Sequence, residues 1–195
     1  MRLICLALLA LIPLPAEAAC RLALALALDV SGSVDADEYR LQMSGLAGAL
    51  SDPDVEAALF AIPDAPVALT VFEWSSSRYQ RTVVDWVIID NQTALDHVRV
   101  RLMNWARQKA PEATGLGAAL EHGNLLLDRA PACWEKTLDV SGDGKNNDWP
   151  NPRTARASGA LAWIRINALV VAREFHNETE TESEEDPTVR LLYLN

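Results

Sequence analysis

The sequence is poor in the residues from which many catalytic and nucleic-acid-binding surfaces are built. Three histidines and three cysteines are spread over 195 residues. They form no C-x-x-C, no Cys/His zinc spacing and no H-E-x-x-H pair. There is no G-x-S-x-G nucleophile elbow. Gly115-x-Gly117 lacks the third glycine and the acidic partner of a dinucleotide fingerprint. Basic residues number 17 against 27 acidic ones, giving a net charge of -10. Phosphate-backbone recognition needs clustered Lys and Arg, so nucleic acid is excluded as the expected partner. An acidic surface favours solubility and cationic partners or metal ions.

What is present is apolar. Half of the residues are hydrophobic, enough for one domain with a sizeable core. The first residues read as a secretory signal: Arg2 as the n-region, Leu3 to Ile12 as the h-region, and Ala16-Glu17-Ala18 as an A-x-A cleavage site. The run is too short for a bilayer span, and no later segment reads as one. The expected division is a signal peptide over 1–19, a domain over 20–175 and an acidic C-terminal element over 176–195, with the mature protein secreted or periplasmic. Lipidation at Cys20 is the alternative, although Glu17 stands where a lipobox wants an apolar residue.

Cys5 leaves with the signal. Cys20 lies nine residues before Asp29 and Cys133 ten before Asp143. If the strands between them are parallel neighbours, both cysteines fall at one sheet edge. A disulfide there would suit an oxidising compartment; two unpaired thiols are the alternative.

Strands and helices alternate. Leu22 to Leu28 is apolar throughout, as in a strand buried on both faces. Asp35 with Glu38 resembles a capping box and starts a helix to about Ala49. A short helical piece lies near Val55 to Leu59. Val67 to Trp74 and Tyr79 to Ile88 are β-rich and close enough in sequence to pair antiparallel. Asn91 to Gln108 and Thr114 to Leu127 have helical patterns, followed by a strand over Lys136 to Val140, a helix over Thr154 to Ala162 and a strand over Ile164 to Val171. Glu178 to Asp186 is Glu, Thr, Ser and Asp throughout and reads as solvated. Thr188 to Leu194 reads as a final helix or strand. This order predicts an α/β three-layer sandwich with a mostly parallel sheet and one antiparallel edge strand. One more strand–helix pair would be expected to complete it, so either the sheet is smaller here or the chain is a shortened version.

Five oxygen-bearing residues stand where strands turn into helices. Asp29, Ser31 and Ser33 alternate after the first strand. Thr114 opens a Gly-rich helix start, at an N-cap position where its hydroxyl could instead cap the helix. Asp143 follows Ser141-Gly142. In an open α/β sheet, ligands bind beyond the carboxyl ends of the strands. Two carboxylates and three hydroxyls, if they converge, suit Mg²⁺, Mn²⁺ or Ca²⁺ rather than zinc or copper. The plainer reading is that they cap helices and shape turns. His97, His122 and His176 supply no pattern. The tryptophans read as core and loop packing, except Trp149, whose position after Asp143 would let it contact a ligand. Asp139 interrupts an apolar strand without an evident reason.

Asp29-Val30-Ser31-Gly32-Ser33, Thr114 and Ser141-Gly142-Asp143-Gly144 resemble the metal-ion-dependent adhesion site of the von Willebrand factor type A domain. Order and spacing agree from about residue 21 to 171. Asp139 to Gly144 with Asn146-Asn147-Asp148, Glu73-Trp74-Ser75 and Ile166-Asn167-Ala168-Leu169 resemble an uncharacterised bacterial branch of secreted type A-like proteins. The resemblance implies a Rossmann-like fold and a cation, Mg²⁺ with Mn²⁺ or Ca²⁺ as alternatives. Ser31, Ser33 and Thr114 would ligate it directly, Asp29 and Asp143 through water. The resemblance further implies a protein partner that completes the shell with an Asp or Glu carboxylate, and no enzymatic activity. The chain departs from the family pattern at Asp139 and in a final strand and helix that are missing or degenerate. Two other readings are a metal-dependent hydrolase and a structural envelope protein whose site no longer binds metal.

Overall fold

The computed structural model describes residues 20–142, 145–157, 159–172 and 188–194, the last seven and 170–172 as backbone only. The expected signal peptide, the acidic segment, His176, Asp143 and Gly144 lie outside the described residues.

The element order is β1 (Cys20–Asp29), α1 (Ala36–Ala49), α2 (Pro53–Leu59), β2 (Val67–Trp74), β3 (Gln80–Ile89), α3 (Gln92–Asn104), α4 (Leu116–Asp128), β4 (Cys133–Gly142), α5 (Pro152–Ala157), β5 (Arg165–Ala172) and β6 (Thr188–Leu194). The strands form one sheet in the order β3-β2-β1-β4-β5-β6. β1 pairs parallel with β2 and β4, and β4 with β5. β3 runs antiparallel to β2, as the short Ser75–Arg78 link predicts, and β6 antiparallel to β5. The sheet thus has an antiparallel strand at both edges. Thr188–Leu194, read from the sequence as a final helix or strand, is a strand and pairs along β5 from Ile166 to Ala172.

β1 shows how sequence alternation becomes packing. Ala23, Ala25 and Ala27 join one core cluster with Phe72, Trp74, Ala119, Leu127 and Leu138. Their small side chains admit α4, whose Gly123 sits against Leu138. Leu28, with Leu22, Leu24 and Leu26 partly buried, packs on the opposite face with Tyr39, Met43, Leu95, Val98 and Leu102 from α1 and α3. β2 is buried along its whole length, each large aliphatic contributing about 1.5–3 kcal/mol.

The helix ends follow local chemistry. Asp35 accepts from the Asp37 and Glu38 N–H groups while Glu38 accepts from the Asp35 N–H, the reciprocal capping box the sequence predicts. α3 stops at Asn104, short of the expected Gln108, because Trp105 turns extended and its indole N–H donates to buried Glu73 at 2.9 Å. α5 starts at Pro152, which occupies the first helical position, and ends at Ala157, before the expected Ala162.

Cys20 and Cys133 stand opposite each other in the β1–β4 register and are disulfide-bonded, with Cα atoms 4.3 Å apart. The bond ties the amino ends of the two strands whose carboxyl ends carry Asp29 and Gly142.

Candidate functional site

The carboxyl ends of β1, β2 and β4 meet the loop before α4 at one end of the sheet. Asp29 is 1% exposed, and its Oδ1 accepts the Ser31 N–H at 2.8 Å. This closes a turn that aims the loop out of the sheet. The Val30 N–H donates to the Trp74 carbonyl at 2.9 Å, and the Gly32 N–H to the Glu112 carbonyl at 3.0 Å. The loop is thus fixed from both sides. Ser31 is fully buried, whereas Ser33 is exposed. Their hydroxyl oxygens are 3.2 Å apart.

Thr114 is 4% exposed, and its hydroxyl donates to Ser31 Oγ at 3.2 Å. It does not cap α4. The cap is Gly115, without a side-chain hydrogen bond, so the N-cap expectation for Thr114 is corrected. The helix begins one residue too late to use that hydroxyl, which turns to Ser31 instead. Three of the five expected residues, Ser31, Ser33 and Thr114, therefore share one cluster of hydroxyls. Asp29 is hydrogen-bonded to the same loop. Asp143 lies outside the described residues, but its neighbour Gly142 lies against Asp29: a Cβ there would stand 3.1 Å from Asp29 Oδ2.

Gln42 carried no signal in the sequence, and Ser141, Asn147 and Asp148 lay in the quoted motifs without an assigned role. Gln42, on α1, donates from Nε2 to the Asp29 carbonyl at 3.1 Å. Its Oε1 lies 3.2 Å from the Ser141 hydroxyl, itself 3.2 Å from the Ala27 carbonyl. One amide thereby links the ends of β1 and β4. The Asn147 side chain accepts the Thr114 N–H at 2.8 Å. The Thr114 carbonyl accepts the Asn147 and Asp148 N–H groups at 3.0 and 3.2 Å. Asp148 Oδ2 accepts the Ser77 N–H, and its Oδ1 the Trp149 N–H, both at 2.8 Å. These backbone donors hold the Asp148 carboxyl below the usual aspartate range.

Beside the site, Glu73 is 1% exposed and its Oε1 accepts from the Tyr39 hydroxyl and the Trp105 indole. Burial, then the hydrogen bond and charge of Glu73, push the Tyr39 phenol well above its ordinary pKa. Arg81 and Arg101 stack on Trp105, and Arg107 on Tyr39.

Asp139 has an account: its Oδ1 accepts from Asn167 Nδ2 at 2.6 Å across the β4–β5 register. Burial raises its pKa against that hydrogen bond. His122 is a packing residue, edge-on to Phe72 with ring centroids 4.9 Å apart. The expectation that the tryptophans other than Trp149 pack in core and loops holds for Trp74, but Trp134 and Trp163 are 64 and 90% exposed; Trp149, the exception, is 70% exposed.

Among the described residues no group of three or more His, Cys, Asp and Glu could hold a metal; the oxygen cluster here consists of hydroxyls. The fit to a cation is metric. Adjacent oxygens of an octahedral Mg²⁺ shell, each about 2.1 Å from the ion, stand ~3.0 Å apart. The Ser31–Ser33 and Ser31–Thr114 spacings are 3.2 Å, close to that value.

This sheet, with the Asp-x-Ser-x-Ser turn, the distant Thr and the loop after β4 at one end, defines a von Willebrand factor type A-like domain. Solved structures agree. Proximal thread matrix protein 1 from the mussel byssus, in a form with a zinc-occupied MIDAS motif, superposes with a TM-score of 0.60 at 12% identity, over 80% of this chain and 39% of that one. A von Willebrand factor type A protein from Catenulispora acidiphila gives 0.53 at 16%, over 76% and 32%. The pilus adhesin SpaC from Lactobacillus rhamnosus GG gives 0.53 at 13%, over 78% and 25%. The chain therefore corresponds to only part of each relative. The chain belongs to the family described as "Protein of unknown function (DUF1194)", whose model matches residues 19–189. No curated protein matches it.

Proposed function

We propose that this chain is a secreted or periplasmic interaction module that binds a divalent cation, Mg²⁺ with Mn²⁺ or Ca²⁺ as substitutes, and through it a partner protein's Asp or Glu carboxylate. The observation that carries the reading is the convergence of Ser31, Ser33 and Thr114 hydroxyls at 3.2 Å spacings beside buried Asp29. Ser31, Ser33 and Thr114 would hold the ion directly. Asp29 and Asp143 would act mainly through bound waters. When bound, the cation supplies an open Lewis-acidic position for an anionic oxygen. A hard-oxygen, mostly neutral donor set leaves net positive charge on the ion, which favours a carboxylate as the completing ligand.

Binding rather than turnover is the proposed role. His97 lies on α3, and His122 is engaged with Phe72 on the core side of α4, so neither is placed as a general base. The zinc-occupied MIDAS of the mussel relative supports a cation at this end of the fold. The leader-like residues Leu3 to Ile12 and the Cys20–Cys133 disulfide support an oxidising, extracytoplasmic setting.

Thermal unfolding with and without Mg²⁺ tests the reading. A ligand at a hundred times its Kd stabilises the fold by about 2.7 kcal/mol. A rise in Tm that EDTA reverses and Ser31→Ala abolishes is expected. An unchanged Tm at millimolar Mg²⁺ and Mn²⁺ would leave the hydroxyls as turn-formers.

A further inference from the structure

Thr114 is an unusual place for a cation ligand to be fixed. It precedes the first residue of α4 by two positions, and the Gly115 cap contributes no side chain. Helical hydrogen bonding therefore does not set its backbone. Its peptide groups are instead held by a loop that follows β4. The Asn147 side chain takes the Thr114 N–H, and the Asn147 and Asp148 N–H groups both donate to the Thr114 carbonyl. On the other side, the Gly115 N–H donates to the Ser75 carbonyl at 2.6 Å. Asp148 closes the circuit by accepting the Ser77 N–H from the same β2–β3 link. The peptide unit between Thr114 and Gly115 is thereby gripped between two segments that come from opposite sides of β1.

We propose that Asn147 and Asp148 are positioning residues for the cation, forming a clasp that holds the Thr114 hydroxyl in ligating position. The proposal rests on the cation reading above and deepens it. The clasp begins four residues after Asp143 in the sequence. Three hydrogen bonds converge on the backbone of a residue that is 4% exposed, so the Thr114 Cα cannot shift away from Ser31 unless they are broken. Partners that orient a metal ligand typically change affinity 10- to 100-fold when removed.

Asn147 is exposed, so truncating its side chain leaves the core intact. The test is Mn²⁺ titration by calorimetry on the full chain as wild type, Asn147→Ala and Asn147→Asp, with amide hydrogen exchange on the metal-free proteins. The expected result is a Kd weakened roughly 10- to 100-fold in Asn147→Ala. Exchange should quicken at the Thr114 and Gly115 amides while β1 and β4 stay protected. Asn147→Asp keeps the acceptor oxygen and should restore both readouts most of the way. If Asn147→Ala loses strand protection as well, Asn147→Thr, with an oxygen one bond short, is read in its place. A wild-type Kd in the truncated variant, or equal loss in the alanine and aspartate variants, overturns the clasp and leaves the cation reading standing. A wild type that binds no Mn²⁺ overturns both.

Discussion

Asn147 holds Thr114 by both of its backbone polar groups. The Thr114 N–H donates to Asn147 Oδ1 at 2.8 Å, and the Thr114 carbonyl accepts the Asn147 N–H at 3.0 Å. The pair joins the loop before α4 to the loop after β4, two segments far apart in sequence. It is also where the expected hydroxyl ligand meets the segment carrying the expected carboxylate.

The close approach of these loops leaves no room at Gly117. A Cβ there would stand 2.0 Å from the Pro150 carbonyl oxygen, a backbone atom that cannot swing aside. Gly117→Ala should destabilise the fold by about 1–3 kcal/mol, as overpacking does, and should weaken Mg²⁺ binding by displacing the Asn147 loop. Urea unfolding with a parallel metal titration checks both. Wild-type stability in this variant would show that the two loops are looser than their contact implies.

The disulfide closes a loop across 113 positions of sequence. Chain entropy assigns about 4–5 kcal/mol to a bridge of that span. The Cys20→Ala/Cys133→Ala double variant should lose an amount of that order in denaturant unfolding. It should keep its cation affinity, because Cys20 and Asp29 lie at opposite ends of β1, roughly 30 Å apart along the strand. A loss under 1 kcal/mol, or a matching loss of metal binding, would contradict this.

Much of this was legible in the sequence. The Ala/Leu alternation of β1, the Asp35–Glu38 box and the strand-to-helix positions of Asp29, Ser31, Ser33 and Thr114 are local patterns, and the structure keeps them. The similar offsets of Cys20 and Cys133 from the motif aspartates, nine and ten residues, carried register information that the parallel β1–β4 pairing realises. What was not legible depends on tertiary partners. Trp105 continues a helical period, yet leaves the helix to reach Glu73, a residue 32 positions earlier. Gln42 looks like any polar helix residue until Asp29 and Ser141 are seen on either side of its amide. Thr114 carries the signature of a cap, and only the placement of Ser31 shows that its hydroxyl is spent elsewhere. Asp139 looked like an intrusion because its partner, Asn167, arrives on the next strand.

Tyr39 gives a pH prediction. Its hydroxyl donates to Glu73 in a buried setting, so the folded state holds the phenol neutral and raises its pKa. That contribution is fully present below the ordinary tyrosine pKa of about 10 and is lost as pH rises towards the folded value. Absorbance at 295 nm should show a tyrosine step that is delayed beyond about pH 11 until the protein unfolds. Tyr39→Phe should remove that late step. It should also cost about 1–3 kcal/mol by taking one donor from a buried carboxylate. A titration of the wild type with no late step would contradict the placement of Tyr39 against Glu73.

The central claim is that the hydroxyls of Ser31, Ser33 and Thr114, with Asp29 and Asp143, hold one divalent cation. Calorimetric titration of Mg²⁺ and Mn²⁺ into the wild type and into Asp29→Ala tests it most directly. The account predicts one saturable site per chain in the wild type and at least a tenfold weaker one in the variant. No heat of binding in the wild type, or the same Kd in both proteins, would contradict it.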